Sequence, residues 1–277
     1  MTDRYAVIGN PIQQSKSPLI HGMFAQATGQ DMDYSTIEGP VGGFAAAVDA
    51  FRAAGGRGLN ITAPFKLDAF DYATERSTDA QLAGAVNAMK FEGMRVLAEN
   101  FDGVGLVRDV IHNLQMPLTG QRVLLLGAGG ASRGALLPLL AQNPVRLVIA
   151  NRTLEKAQAL VAIAEKQGAP VGQVVGCTYH DLAGQTFDVV FNATSASLLS
   201  ELPPVPVSVF ADCRLAYELA YGKGLTPFLQ LAQNAGVPQL ADGVGMLAEQ
   251  AAEAFAWWRG VRPDTRTVIE KLTLPLV

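Results

Sequence analysis

Hydrophobic and polar positions along the chain fall into blocks, and the period of the blocks changes as one reads. Short apolar runs of strand length occur at 5–9, 34–38, 58–61, 84–91, 95–98, 123–126, 146–150, 173–179, 187–192, 209–213 and 239–241. Stretches with helical spacing separate most of them: 17–28, 43–53, 106–114, the residues after Gly130, 154–166, 226–236, 246–258 and 267–272. Strand, helix, strand, helix with short connections predicts an α/β fold with a doubly wound parallel sheet. In one run Leu59 and Ile61 alternate with Asn60 and Thr62, which predicts a half-buried strand. The run from Val123 to Leu126 is continuously apolar, as expected of a strand covered on both faces.

Punctuation refines these elements. Ser17 before Pro18 predicts an N-cap with proline at the first helical position, and Gly29 stops that helix. Pro64 is expected to open the next helix, with Lys66 in its first turn. Thr226-Pro227 opens a helix that Gly236 ends. In 246–258 the residues Met246, Leu247, Ala251, Ala254, Phe255 and Trp258 form one apolar stripe, and Gln250 lies on it. A glutamine there is either a core residue bonded to backbone or an amide facing a polar ligand.

The glycines carry the first chemistry. Gly127, Gly129 and Gly130 follow an apolar strand and precede a helix, so backbone can approach a pyrophosphate whose charge faces free amides. Ser132 stands where a third glycine is usual. The next strand ends at Asn151-Arg152-Thr153, where the adenosine ribose of a dinucleotide sits. No acid is there for a 2′-hydroxyl; Arg152 offers a planar fork for a 2′-phosphate, with Asn151 and Thr153 as further donors. The expected cofactor is therefore NADP(H), although Thr153 also suits the N-cap of the following helix.

Other polar residues keep two readings each. Ser15 and Ser17 project to one side of an extended segment and suit a small carboxylate; Ser17 is also explained by capping alone. Lys66 is either a surface lysine or an acid–base group, since a cation at a helix N-terminus is disfavoured. Asn87 lies among apolar neighbours and either faces a polar cavity or bonds backbone. Asp102 is either an N-cap or a functional carboxylate. Asn192 to Ser195 follow a buried strand at its carboxyl end, where such sheets bind ligands.

Composition narrows the class. With 277 residues, 49% of them hydrophobic, the chain can bury a substantial core in two domains or one large one. A net charge of −4 argues against a nucleic-acid partner. No apolar run reaches membrane-spanning length and no secretory leader pattern is seen, so no membrane partner and a cytoplasmic location are expected. Cys177, Cys213 and the three histidines show no metal-ligand spacing, so no metal is expected.

Taken together, the segments Ser15-Lys-Ser-Pro, Asn60-Ile-Thr-Ala-Pro-Phe-Lys66, Gly84-Ala-Val-Asn87, Asn100-Phe-Asp102-Gly, Gly127-Ala-Gly-Gly-Ala-Ser132 with Asn151-Arg-Thr, Asn192-Ala-Thr-Ser and Asp242 to Gln250 resemble the shikimate dehydrogenase family over almost the whole chain. The resemblance implies two α/β domains with a cleft between them: a substrate domain, 1–104 plus 243–277, and a Rossmann-like NADP-binding domain, 105–242. It implies Lys66 and Asp102 as the catalytic pair. Ser15, Ser17 and Tyr221 would hold a substrate carboxylate; Thr62, Asn87, Asp102 and Gln250 would meet ring hydroxyls. Gly127, Ala128, Gly129, Gly130, Ala131, Asn151, Arg152 and Thr153 would bind NADP(H), with Leu219 and Gly243 beside the nicotinamide. The implied reaction is reversible reduction of 3-dehydroshikimate to shikimate, in aromatic amino acid biosynthesis, by a monomer or homodimer acting on a small molecule. Three positions depart from the family pattern: Phe101 and Ala88 replace threonines, and Glu218 replaces an aspartate. They leave two alternatives, a quinate/shikimate dehydrogenase of broader substrate or cofactor use, and a non-catalytic NADPH-binding protein of the same fold.

Overall fold

A computed structural model describes residues 2–196 and 201–276. The chain divides into two compact units, Met1–Gly105 with Ala248–Glu270 and Leu106–Leu247 with Lys271–Val277. The expected division returned the chain to the first unit at residue 243 and kept the whole tail there. The return instead falls inside a helix, and the last residues side with the second unit, where Leu276 packs on its core.

The first unit runs β1 (Asp3–Gly9), α1 (Ser17–Thr28), β2 (Met32–Glu38), α2 (Phe44–Ala53), β3 (Gly56–Ile61), α3 (Lys66–Tyr72), β4 (Glu75–Arg76), α4 (Thr78–Ala83), β5 (Ala88–Glu92) and β6 (Arg95–Glu99). Its sheet has the order β2-β1-β3-β5-β6-β4. β1 pairs in parallel with β2 and β3, whereas β5 is antiparallel to both β3 and β6. Ala6, Ile8, Leu59, Ile61, Met89 and Phe91 join Phe44, Val48, Phe51 and Phe65 in one core cluster.

Four local expectations fail here. Ser17 is not the N-cap of α1: Lys16 holds that position without a side-chain bond, and Ser15 Oγ accepts the Ser17 N–H at 3.3 Å. Asn60 is buried, not on a solvated face, because both sides of β3 are covered. Pro64 lies in a turn before α3, which starts at Lys66 itself. Gly84 does not begin a strand; it closes α4 in the left-handed conformation, φ 63°, and Ser77 caps that helix by accepting the Ala80 N–H.

The link to the second unit is α5 (Asp102–Arg108), which continues as a π-helical turn, Asp109–Asn113. Then follow β7 (Arg122–Leu126), α6 (Gly130–Leu140), β8 (Arg146–Ala150), α7 (Leu154–Lys166), β9 (Val174–Cys177), β10 (Val189–Asn192), β11 (Leu215–Glu218), α8 (Pro227–Asn234), β12 (Gln239–Asp242), α9 (Val244–Arg259) and α10 (Arg266–Leu272). The sheet order is β12-β11-β10-β7-β8-β9, with every pairing parallel. This is the doubly wound dinucleotide-binding order, with its switch point beside β7.

One expected strand is corrected. Residues 209–213 are not extended: Val207–Phe210 form a short 3₁₀ turn, and the strand is β11, immediately downstream. Val209 and Phe210 are buried from that turn, so their apolarity reports core packing rather than sheet pairing. Leu215, Ala216 and Tyr217 take the register opposite Val189, Val190 and Phe191.

Candidate active site

In the first unit the end of β3, the start of α3, the segment before β5 and the start of α5 converge on one polar cluster. Asp102 is the first residue of α5, and Asn100 Oδ1 accepts its N–H at 3.1 Å. Asp102 therefore lies inside the helix and is not its N-cap, and its carboxylate turns to other partners. Its Oδ2 accepts from Lys66 Nζ at 2.5 Å, and its Oδ1 accepts from Asn87 Nδ2 at 2.8 Å. Side-chain exposures of 36% for Lys66 and 20% for Asp102 leave the pair open to a solute while limiting water.

Asn87 organises this cluster. It is 2% exposed, and its Oδ1 accepts the Phe101 N–H at 2.9 Å, which fixes which end of the amide donates. The donating end reaches Asp102 and also Gln250 Oε1, at 3.3 Å. Asn87 thus bonds backbone through Oδ1, and its Nδ2 is taken up by two polar side chains. Gln250, half-buried on α9, belongs with the same group. Thr62 follows β3, and a Cβ on Gly9 would lie 2.5 Å from its Cγ2, so glycine is needed for that approach.

A second chain of contacts leads away from Ser17. The Ser17 hydroxyl bonds the Tyr34 phenol, which burial raises well above its ordinary pKa and so keeps as a neutral donor. Tyr34 donates to Asn60 Oδ1 at 2.6 Å, and Asn60 Nδ2 donates to the Asn87 carbonyl at 3.4 Å. Ser15 and Ser17 are both half-buried. Tyr34, Asn60 and Asn100 were not singled out from the sequence. For Asn60 a signal existed, a polar residue in an apolar strand; for Tyr34 there was none beyond ordinary strand composition.

The departures can now be located. The Phe101 ring turns to Trp257, edge to face with centroids 5.8 Å apart, and packs with Ala88, Tyr5 and Trp258 in one apolar cluster. Phe101 and Ala88 are thus a large and a small residue of the same packing group, and the Lys66–Asp102 pair forms in their presence. Glu218 is fully buried. Its carboxylate accepts from Asn192 Nδ2 at 2.8 Å, the Ala220 N–H at 3.3 Å and Thr226 Oγ1 at 3.3 Å.

In the second unit, Gly127 directly follows β7 with φ 99°, a left-handed backbone where a Cβ would lie 3.1 Å from the Ala193 carbonyl oxygen. Gly129 is the N-cap of α6 and Gly130 its first residue; Cβ atoms on either would meet nothing within 4 Å. Space above free helix amides is what an incoming pyrophosphate requires. Ala128 and Ala131 flank these glycines. Ser132 at the third position is fully buried, with no hydrogen-bond partner for Oγ.

At the end of β8, Asn151 Nδ2 donates to the Thr153 carbonyl at 2.9 Å, while Arg152 is exposed. Thr153 occupies the N-cap of α7 without a side-chain capping bond. Burial raises the Tyr179 phenol pKa, and the positive charge of Arg152 opposes that rise. Leu219 and Gly243 meet closely: a Cβ on Gly243 would lie 2.1 Å from the Leu219 carbonyl oxygen. Tyr221, two residues beyond Leu219, is 44% exposed.

Comparison with known proteins identifies the family. Family models described as "Shikimate dehydrogenase substrate binding domain", "Shikimate / quinate 5-dehydrogenase" and "Shikimate 5'-dehydrogenase C-terminal domain" match residues 7–89, 109–200 and 243–273. A protein of Aromatoleum aromaticum named shikimate dehydrogenase (NADP(+)) is 54% identical, covering 98% of this chain and 96% of its own. The crystal structure of an Ael1 enzyme from Pseudomonas putida is 61% identical with a TM-score of 0.96, each chain covered completely. A shikimate 5-dehydrogenase from Thermus thermophilus, crystallised with NADP(H) and shikimate, is 30% identical with a TM-score of 0.83, covering 97% of this chain and 98% of its own.

Proposed function

The chain belongs to the shikimate dehydrogenase family, and we propose that it catalyses the reversible, NADP-dependent interconversion of 3-dehydroshikimate and shikimate. The observation that carries this reading is the Lys66–Asp102 pair, held at 2.5 Å by an asparagine that is itself held by backbone. The glycine turn and the exposed Arg152 fork suit a phosphorylated dinucleotide, which when bound supplies the hydride.

As the ring ketone is reduced, negative charge grows on its oxygen. Lys66 stabilises that charge and passes a proton from Nζ to the oxygen, giving the alcohol. In the reverse direction the neutral amine takes the hydroxyl proton as hydride leaves carbon. Asp102 holds Nζ in line through Oδ2, and Asn87 prevents the carboxylate from rotating. Thr62, Asn87 and Gln250 bind or orient the ring hydroxyls. Ser15 and Ser17 with Tyr221 bind the substrate carboxylate. Gly127 to Ala131 take the pyrophosphate; Asn151, Arg152 and Thr153 take the 2′-phosphate; Leu219 and Gly243 face the nicotinamide.

Among the described residues no helix is long and apolar enough to cross a membrane. We place the enzyme in the cytoplasm, working as a monomer or homodimer. The test is NADPH formation with shikimate, compared with quinate and with NAD. Lys66→Ala should lower turnover by about 10²–10⁴-fold, the usual worth of a positioned acid–base group, with NADPH affinity nearly unchanged. Wild-type turnover in that variant would remove Lys66 from the reaction.

A further inference from the structure

Tyr217, Asp109 and Gly245 take no part in the chemistry above, yet they form a deeply buried polar joint within the second unit. Tyr217 is 0% exposed and Asp109 3%. The Tyr217 hydroxyl donates to Asp109 Oδ2 at 2.7 Å and accepts the Met246 N–H at 3.3 Å. Asp109 Oδ1 accepts from Asn113 Nδ2 at 2.9 Å, within the π-helical turn that Asp109 begins. A Cβ on Gly245 would lie 2.0 Å from Asp109 Oδ1 and 2.2 Å from Oδ2. The carboxylate therefore lies directly on the first turn of α9, where no larger residue leaves room. A negative charge beneath a helix N-terminus is favoured by the helix dipole. π-helical turns are uncommon and recur at functional positions.

The joint ties three elements: the end of β11, the first turn of α9 and the π-helical turn. Leu219 lies two residues beyond Tyr217, and Gly243 two residues before Gly245. Both ends of the closely packed Leu219–Gly243 contact are thus anchored by one hydroxyl. The Leu219 N–H donates to the Asn192 carbonyl at 3.0 Å and the Gly243 N–H to the Ala220 carbonyl at 3.2 Å, while the Gly243 carbonyl accepts the Leu247 N–H at 2.9 Å, so the Tyr217 hydroxyl adds a side-chain tie to a segment whose backbone already meets the start of α9.

We propose that Tyr217 and Asp109 are positioning residues that set the height of the Leu219–Gly243 surface against the nicotinamide, and so the hydride-transfer distance. The inference rests on Leu219 and Gly243 being the nicotinamide-facing residues. Hydride transfer is steep in donor–acceptor geometry, and a displacement near 1 Å can cost about a hundredfold.

The experiment uses the full-length enzyme. Tyr217→Phe deletes one hydroxyl and keeps the ring. Expected are an NADPH Kd within about twofold of wild type by fluorescence, and a single-turnover hydride rate lower by about tenfold or more. The primary isotope effect with 4-deuterated NADPH should rise as that step becomes limiting. Asp109→Asn keeps an oxygen to accept the phenol and should recover most of the rate; Gly245→Ala should resemble Tyr217→Phe. An unchanged single-turnover rate in Tyr217→Phe overturns the proposal, and so does a rate loss matched by an equal loss of NADPH affinity. Leu219→Ala separates the underlying reading: if it leaves the hydride step untouched, the nicotinamide assignment fails; if it slows the step while Tyr217→Phe does not, only the positioning role fails.

Discussion

His21 lies on α1 with 0% exposure, its ring stacked on Tyr34 at 4.2 Å between centroids and 5° between planes. Phe24, Phe255 and Trp258 enclose the remainder, and no charged side chain is among these ring partners. Neither ring nitrogen has a well-formed hydrogen bond, and burial pulls the imidazole down to about 3, opposed only in part by the Asn60 side chain. An unfolded histidine titrates near 6.5. The unfolded chain therefore binds the extra proton throughout the window between these values, and stability must fall as pH drops through it. At about pH 5 the linkage costs roughly 2 kcal/mol relative to neutral pH, and at about pH 4 roughly 3 kcal/mol. That is a large part of the ~5–15 kcal/mol holding a typical domain together. His21→Phe keeps the stack on Tyr34 and removes the titration. Urea unfolding at a series of pH values, read by tryptophan fluorescence, should show a pH dependence shallower than wild type by up to ~1.4 kcal/mol per pH unit. The chain's two tryptophans, Trp257 and Trp258, both lie in the first unit, so the signal reports the unit that holds His21. Carboxylates contribute to both proteins and cancel in the difference. Parallel pH profiles for the two proteins would refute the argument, since they would mean that His21 is protonated at no cost in the folded state.

Three further outcomes are expected. Arg152→Ala should raise KM for NADPH about tenfold to a hundredfold and leave KM for NADH nearly unchanged, because a charge-assisted bond to phosphate is worth roughly 1.5–3 kcal/mol; equal effects on both cofactors would detach Arg152 from the 2′-phosphate. Thr226→Ala removes the cap on the Leu229 N–H and one donor to buried Glu218, and should lower stability by about 1–2 kcal/mol in denaturant titrations, with a neutral result excluding the capping role. Phe101→Ala should lose the ring contact with Trp257 and cost about 1–3 kcal/mol, with altered tryptophan emission and a lower kcat from a loosened Asp102; an unchanged kcat would show that the Phe101 ring does not support the carboxylate.

Much of the second unit was readable along the chain. The apolar run 123–126, the glycine turn, the strand ending before Arg152 and the Thr226-Pro227 helix start each depend on neighbours a few residues apart, where period and turn chemistry act. Lys66 and Asp102 could be picked out by family resemblance, but taken residue by residue each had an adequate local explanation. Only the fold put Asp102 inside α5 and brought its carboxylate to Lys66, and only the fold joined Asn87 to Gln250 across 163 positions and Tyr217 to Asp109 across 108. The apolar stretch 209–213 misled because burial does not distinguish a turn plugged into a core from a strand in a sheet; that choice fell to the register available beside β10. Local backbone preference decides where helices and strands begin, since its range is one or two turns. The role of a buried polar group depends on which partner satisfies its hydrogen bonds, and that partner is supplied by the packing of distant segments.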